Sequence, residues 1–166
     1  ANVCHVGPVL EDEKVAVRTP LPWAADVPTP LVLVSFSTGF EQLAPDKFQR
    51  CLKVLSDRGV HVVVTTGGIV EPQELIAPAN ACVLSYAAHD PILQRAALTV
   101  THGGHGTAMR SLRHGVPMIV MPGLAHDQSC IAAAVQEWGV GRALPGDAAV
   151  EAIRSAAREI LAKPSY

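Results

Sequence analysis

Aromatic side chains are scarce in this sequence, at 4% of its 166 residues, and charged side chains reach only 17%. With so few rings, Ala, Val and Leu must fill the interior, and the length is enough for one hydrophobic core. The formal net charge of −2 is spread without a basic stripe or an acidic block. This pattern argues against a nucleic-acid partner and against an acidic, solvated tail.

Long apolar runs and clustered cysteines are also missing. No uninterrupted apolar stretch approaches the roughly 20 residues that a membrane-spanning helix needs, and no stretch has the pattern of a signal peptide. The four cysteines, Cys4, Cys51, Cys82 and Cys130, stand far apart without a C-x-x-C pair. We therefore expect reduced thiols in a cytoplasmic protein with no membrane span.

Two regions differ in pattern. Residues 1–30 lack periodicity and are rich in proline, which predicts an extended linker that Trp23 packs against the rest of the chain. From residue 31 to 166, short apolar runs alternate with amphipathic stretches, which predicts alternating strands and helices. The predicted strands are 31–37, 60–67, 81–86, 98–102, 117–122 and a short piece at 140–145. The predicted helices are 44–59, 90–96, 106–115, 126–139 and 147–162.

The predicted strands are apolar along their whole length, as in strands that are covered on both faces. The sequence therefore predicts an α/β fold with a doubly wound parallel sheet, which is Rossmann-like. In such a sheet, ligands bind outside the carboxyl ends of the strands.

The stretch "THGGHGTAM" at 101–109 lies at such a strand end and opens a helix. Its glycines let backbone N–H groups approach a ligand, and the helix end attracts anions. His102 and Thr107 can add hydrogen bonds, so the stretch predicts a pyrophosphate site. A tight strand-to-helix turn that merely needs glycine remains the structural alternative.

Three other interpretations of this stretch are weaker. No lysine follows the glycines, so it is not a P-loop, and Met109 stands where a dinucleotide fingerprint has glycine or alanine. His102, His105, His114 and His126 resemble a metal-ligand set by number, but their spacing is poor for zinc.

Two further turns carry polar side chains. Asp127 and Gln128 follow a predicted strand, and there Asp127 is either a helix N-cap or, with Gln128, a partner for sugar hydroxyls. After the first strand, Ser35, Ser37 and Thr38 offer hydroxyls to a phosphate or simply cap a loop.

Four stretches together resemble the carboxyl-terminal half of nucleotide-sugar glycosyltransferases, a group that includes antibiotic, plant and glucuronosyl transferases. They are "VLVSFSTGFE", "LSYAAHDPIL", "VTHGGHGTAMRSLRHGVPMIVMP" and "HDQSCIAAAVQEWGVGRAL". The resemblance implies one half of a GT-B enzyme, in which two Rossmann-like domains face each other, with residues 1–30 as the interdomain linker and 31–166 as the donor-binding domain.

The resemblance also implies roles for individual residues. The pyrophosphate site would comprise His102, Gly103, Gly104, Thr107, Thr38 and Ser37. Tyr86 would stack on the base, Ala87 would offer its backbone to the base edge, and Asp127 and Gln128 would hold the sugar. The donor would be a UDP- or TDP-sugar bound without a metal ion or other cofactor.

This sequence departs from the family pattern in three places. Arg110 stands where relatives commonly carry a glutamate that binds ribose hydroxyls, which favours a deoxyribose donor such as a TDP-sugar. Ser37 replaces a glycine, and "AAHD" replaces a Val-Pro pair near the base.

The implied reaction transfers a sugar with inversion to a small, natural-product-like acceptor. Its general base, and the acceptor site, belong to an amino-terminal domain that is missing here, so no catalytic residue is assigned. We expect this chain to bind nucleotide but transfer no sugar, and its exposed domain face to favour homodimers. The alternatives are a sugar-nucleotide epimerase of the same fold and a stand-alone nucleotide-binding module.

Overall fold

A computed structural model of the chain describes residues 4, 7–10, 21–23, 29–36, 45–56, 59–163 and 166. The strands in chain order are β1 (Leu31–Ser35), β2 (His61–Thr65), β3 (Ala81–Leu84), β4 (Ala96–Thr101), β5 (Met118–Val120) and β6 (Gly141–Ala143). The helices are α1 (Pro45–Leu55), α2 (His89–Leu93), α3 (His105–Arg113), α4 (His126–Glu137) and α5 (Val150–Ala162). A 3₁₀ turn at Pro72–Glu74, which the sequence analysis did not predict, precedes β3.

The six strands form one parallel sheet in the order β3-β2-β1-β4-β5-β6. The order reverses between β1 and β4, because the chain first winds outward from β1 to β3 and then returns to β4 on the other side. This confirms the predicted doubly wound α/β fold. Ligands bind at such a reversal because the loops leave the two adjacent strands in opposite directions.

Both faces of the sheet are covered by helices. Val32 and Val34 of β1 face a core that includes Phe48 of α1 and Ile153 of α5. Leu31 and Leu33 point to the opposite face, toward α2. A third cluster packs Met118 and Val120 of β5 against α3 and α4. Alternate residues of each strand therefore pack against helices on either side, which explains their uninterrupted apolar character.

Two local predictions can be compared with the structure. Trp23 packs as predicted: its ring stacks on His61, with the ring centres 4.3 Å apart and the planes 16° apart. The N-cap prediction for Asp127 is wrong, because α4 begins at His126 and Ala125 occupies the cap. Two positions after the cap, Asp127 still places its negative charge in the first turn, where the helix dipole stabilises it.

Candidate functional site

The turn after β4 requires glycine for reasons of geometry alone. Gly103 has a φ of 90°, in the left-handed region that side chains rarely adopt. A Cβ atom at this position would lie 2.9 Å from Cγ1 of Val120 and 3.0 Å from the carbonyl oxygen of Gln128. Gly103 is therefore needed for the fold, whatever the turn binds.

The amino end of α3 is open. Gly104 occupies the N-cap and has no side chain with which to cap the helix. The first backbone N–H groups of a helix have no partner within the helix, so they and the helix dipole together attract anions.

A cleft of about 360 Å³ lies at the carboxyl ends of β1 to β4, in front of this helix end. It spans the reversal of strand order, where a doubly wound sheet binds its ligands. Its described lining is Ser35, Phe36, Thr65, Gly67, Ser85, Tyr86, Ala87, His89, His102, Gly104, His105, Gly106 and Thr107. None of these residues is acidic, so the described lining contains no carboxylate to repel an anion.

His102 presents a buried ring to this cleft. The residue is 8% exposed, and Nδ1 of its imidazole has no hydrogen-bond partner within the described part of the chain. Burial, and next the charge on Lys47, lower the pKa of His102 from 6.5 to about 4, although the Ser35 backbone and Asp127 act in the opposite direction. The ring is therefore neutral near pH 7, and a buried nitrogen without a partner is costly unless a ligand pairs with it.

Tyr86 and Ala87 follow β3 and line the far side of the same cleft. Tyr86 is 68% exposed, and its ring lies against Gly68, where a Cβ atom would come within 2.9 Å of Cε2 and Cζ. A largely exposed aromatic ring, held from one side, is suited to stacking on a flat ligand.

The two side chains predicted to bind the sugar differ in exposure. Asp127 is exposed, whereas Gln128 is 8% exposed, and its Oε1 accepts a 2.8 Å hydrogen bond from the backbone N–H of Gly123. Gln128 thus reaches back from the first turn of α4 and holds the loop that precedes the helix. Neither residue belongs to the described lining of the cleft.

The family model for the erythromycin biosynthesis protein CIII-like C-terminal domain matches residues 49–166, a stretch that includes the glycine-histidine turn, Tyr86 and α4. The chain belongs to this family. The predicted resemblance is thereby confirmed at the level of family and fold.

Individual relatives of the chain agree with the family match. NDP-glycosyltransferase YjiC of Bacillus subtilis is 32% identical over 143 residues, which are 86% of this chain and 35% of that protein. The demethyllactenocin mycarosyltransferase of Streptomyces fradiae is 31% identical over 134 residues, 80% of this chain and 29% of that protein. The structure of the glycotransferase of kitacinnamycin matches with a TM-score of 0.82 and 28% identity, covering 97% of this chain and 41% of that one. The chain thus spans about a third of the length of these curated relatives.

The structure brings five of the predicted ligand residues to one cleft. They are His102, Gly104, Thr107, Tyr86 and Ala87. Gly103 shapes the turn behind the cleft, and Ser37 and Thr38 lie outside the described residues. The ligand roles of all these residues stay predictions.

Arg110, His114 and His126 have structural neighbours. Nε of Arg110 lies 3.7 Å from Oδ2 of Asp90, and Nε2 of His114 lies 2.8 Å from Oδ1 of the same carboxylate. His126 lies next to Cys130, with Nε2 and Sγ 3.6 Å apart. In the described ranges, no three His, Cys, Asp or Glu side chains are grouped so that they could hold a metal ion. The same ranges contain no helix that is long and apolar enough to cross a membrane.

Sequence reasoning missed Lys47, which belongs to the same end of the sheet. The side chain is 5% exposed, its Nζ donates a 2.7 Å hydrogen bond to the carbonyl of Met121, and the ammonium lies 4.7 Å from the ring centre of Phe36. Burial lowers the pKa of Lys47 from 10.5 to about 8. Its only signal in the sequence is a lysine at a position of α1 that the helical periodicity places near the buried face.

Proposed function

We propose that this chain binds the nucleoside diphosphate-sugar donor of an inverting glycosyltransferase that acts on a natural-product-like small molecule. The observation that carries the proposal is the buried His102 ring, which lines a cleft in front of the open amino end of α3 and whose Nδ1 has no hydrogen-bond partner within the described part of the chain. Two relatives support the ligand and acceptor classes through their names, one as an NDP-glycosyltransferase and one as a mycarosyltransferase of demethyllactenocin.

In this proposal the diphosphate lies at the amino end of α3. Backbone N–H groups there, the hydroxyl of Thr107 and the neutral imidazole of His102 donate hydrogen bonds to its oxygens. Negative charge accumulates on the diphosphate as the bond to the sugar breaks, and donors already aimed at it lower the barrier. Because these groups can stabilise the leaving group, we propose that the reaction needs no metal ion or other cofactor.

The base and the sugar would lie at opposite ends of the diphosphate. Tyr86 would stack on the base and the backbone of Ala87 would meet its edge. On the sugar side Asp127 is the better candidate, since it is exposed, whereas Oε1 of Gln128 is already bonded to Gly123. Ser37 and Thr38 remain proposed phosphate ligands.

The remaining parts of the proposal concern the whole protein. The general base and the acceptor site would lie in a partner domain, so this chain alone would bind donor but transfer no sugar, and its free face could form homodimers. All four cysteines are free, which agrees with a cytoplasmic location. The relatives described above do not support the epimerase alternative, and a stand-alone binding module would share the same donor site.

Isothermal titration of the chain with pyrophosphate, UDP and TDP tests the donor site. His102→Ala should weaken pyrophosphate binding about tenfold or more, since a buried partner of a charged group is lost. His126→Ala is the matched control, because that histidine is exposed on α4 and lies outside the cleft lining. Equal binding by both variants would contradict the proposal, as would acceptor glycosylation by the purified chain. Much tighter binding of UDP than of TDP would contradict the deoxyribose preference inferred from Arg110.

A further inference from the structure

Three side chains form a hydrogen-bonded row across the floor of the cleft. Oγ1 of Thr65 lies 2.9 Å from Oγ of Ser35 and 3.1 Å from Nε2 of His89. Ser35 ends β1, Thr65 ends β2 and His89 begins α2, so the row joins three separate elements. Ser35 and Thr65 are 6% and 3% exposed, yet all three residues line the cleft.

The number of protons in this row couples the directions of its two hydrogen bonds. Each hydroxyl has one proton to donate, so when Thr65 donates to Ser35 it must accept from the Nε2–H of His89. Within the described part of the chain, Ser35 Oγ takes part in one hydrogen bond, which it accepts from Thr65. With this direction, the proton of Ser35 is left for an acceptor in the cleft. With the opposite direction, Ser35 donates its proton to Thr65, and only its lone pairs are left for a ligand in the cleft.

The position of Ser35 indicates what that acceptor is. Ser35 pairs with Thr101 in the β1–β4 register, so it lies one strand spacing, roughly 5 Å, from the chain that enters the turn at His102. An anion at the amino end of α3 is therefore next to Ser35. Since the described lining holds no carboxylate, a bound anion would be the charged acceptor next to the Ser35 proton.

We propose that Ser35 donates a hydrogen bond to the bound diphosphate, and that Thr65 and His89 are positioning residues that set the direction of the row. This inference rests on the proposed donor site and adds three residues to it. When the ligand is bound, His89 donates to Thr65, Thr65 donates to Ser35, and Ser35 donates to the diphosphate. In the bound state His89 therefore carries its proton on Nε2.

Titration of the chain with inorganic pyrophosphate tests the inference. Ser35→Ala and Thr65→Val should each raise the Kd about tenfold, as expected for loss of a hydrogen bond to a charged group. Thr65→Ser keeps the hydroxyl and should bind within about twofold of the parent chain. Thr66→Val is the control, since Thr66 is 1% exposed, its hydroxyl has no partner among the described residues, and it does not line the cleft.

A second measurement separates this role from simple packing. Nitrogen NMR of the histidine rings should show His89 with its proton on Nε2 when pyrophosphate is saturating. In the Thr65→Val variant, pyrophosphate should no longer hold the proton on Nε2. Thermal unfolding of each variant establishes that it is folded.

The outcomes distinguish this inference from the proposed function. If Thr65→Val binds as the parent does while His102→Ala binds weakly, the inference is overturned and the donor site stands. A Thr65→Val variant that is less stable but has an unchanged Kd overturns it equally. If the parent chain binds neither pyrophosphate nor a nucleoside diphosphate, both the inference and the proposed function fail.

Discussion

The imidazole of His102 packs directly against the backbone of Gly104. A Cβ atom at residue 104 would overlap Nε2 and Cε1 of the ring. The two residues therefore constrain each other: the ring keeps its place only while residue 104 has no side chain.

Gly104→Ala should lower the free energy of unfolding by about 1–3 kcal/mol, because the added methyl forces the ring or the turn to move. Urea denaturation measures the change. Gly106→Ala is the matched control in the first turn of the same helix, since its Cβ would meet Nη1 of Arg110 at an ordinary 3.5 Å. It should leave stability unchanged or raise it by up to roughly 1 kcal/mol, because alanine favours the helix. Equal losses in both variants would contradict the packing argument.

The buried neutral His102 should make the protein sensitive to mild acid. Its folded pKa of about 4 lies below the ordinary 6.5, so the unfolded chain takes up the proton more readily. The contribution of this residue to stability is complete above pH 6.5 and is lost as the pH falls toward 4, by on the order of 3 kcal/mol. Denaturation at pH 7 and pH 4.5 should show a smaller loss in His102→Gln than in the parent, and parallel losses would count against this pKa.

Lys47 should influence the titration of His102 across the end of the sheet. Its charge is the second largest cause that lowers the His102 pKa, after burial. Lys47→Met should therefore raise that pKa from about 4 part of the way toward 6.5, with burial accounting for the remainder. An NMR titration of the imidazole measures the shift. Lys53→Met removes an exposed charge from the same helix and should leave the His102 titration unchanged; equal shifts would show that the effect is not local.

We expect Tyr86 to contribute to binding of the nucleoside and not to binding of the phosphates. Tyr86→Ala is expected to weaken binding of a nucleoside diphosphate by roughly 1–3 kcal/mol, the contribution typical of a base stacked on an aromatic ring. Binding of inorganic pyrophosphate should be unchanged, and Tyr86→Phe should behave like the parent. Calorimetry with both ligands separates the effects, and a variant that loses pyrophosphate binding as well would assign Tyr86 to the architecture of the cleft.

The fold was predictable because its signals are local. Apolar runs identified five strands and a short piece at 140–145 the sixth, and the helix predicted at 106–115 is observed as α3, His105–Arg113. The boundaries were less accurate: the strand predicted at 81–86 ends at Leu84, and α5 begins at Val150 where 147 was predicted. Strand ends depend on where the neighbouring strand stops pairing, and the sequence of one strand does not contain that information.

The candidate site was predictable where its residues are contiguous or where the family resemblance supplied them, as it did for Tyr86 and Ala87. His102, Gly104 and Thr107 lie within one short stretch, so their chemistry could be interpreted together. The row of Ser35, Thr65 and His89 joins residues 24 and 30 positions apart along the chain and forms only once β1, β2 and α2 are assembled. The N-cap interpretation of Asp127, one of the two left open, was wrong because residue preference does not show the path of the loop before α4.

The two ends of the cleft are carried by strands that do not touch. Tyr86 and His89 follow β3, whereas His102 and Thr107 follow β4, with β2 and β1 between them in the sheet. Substitutions at residues 85–87, which precede the His89 of the hydrogen-bonded row, can therefore accumulate without repacking the glycine turn. Selectivity at the Tyr86 end of the cleft can therefore diverge in evolution, or be exchanged by loop grafting. The residues that bind at the His102 end can stay unchanged meanwhile.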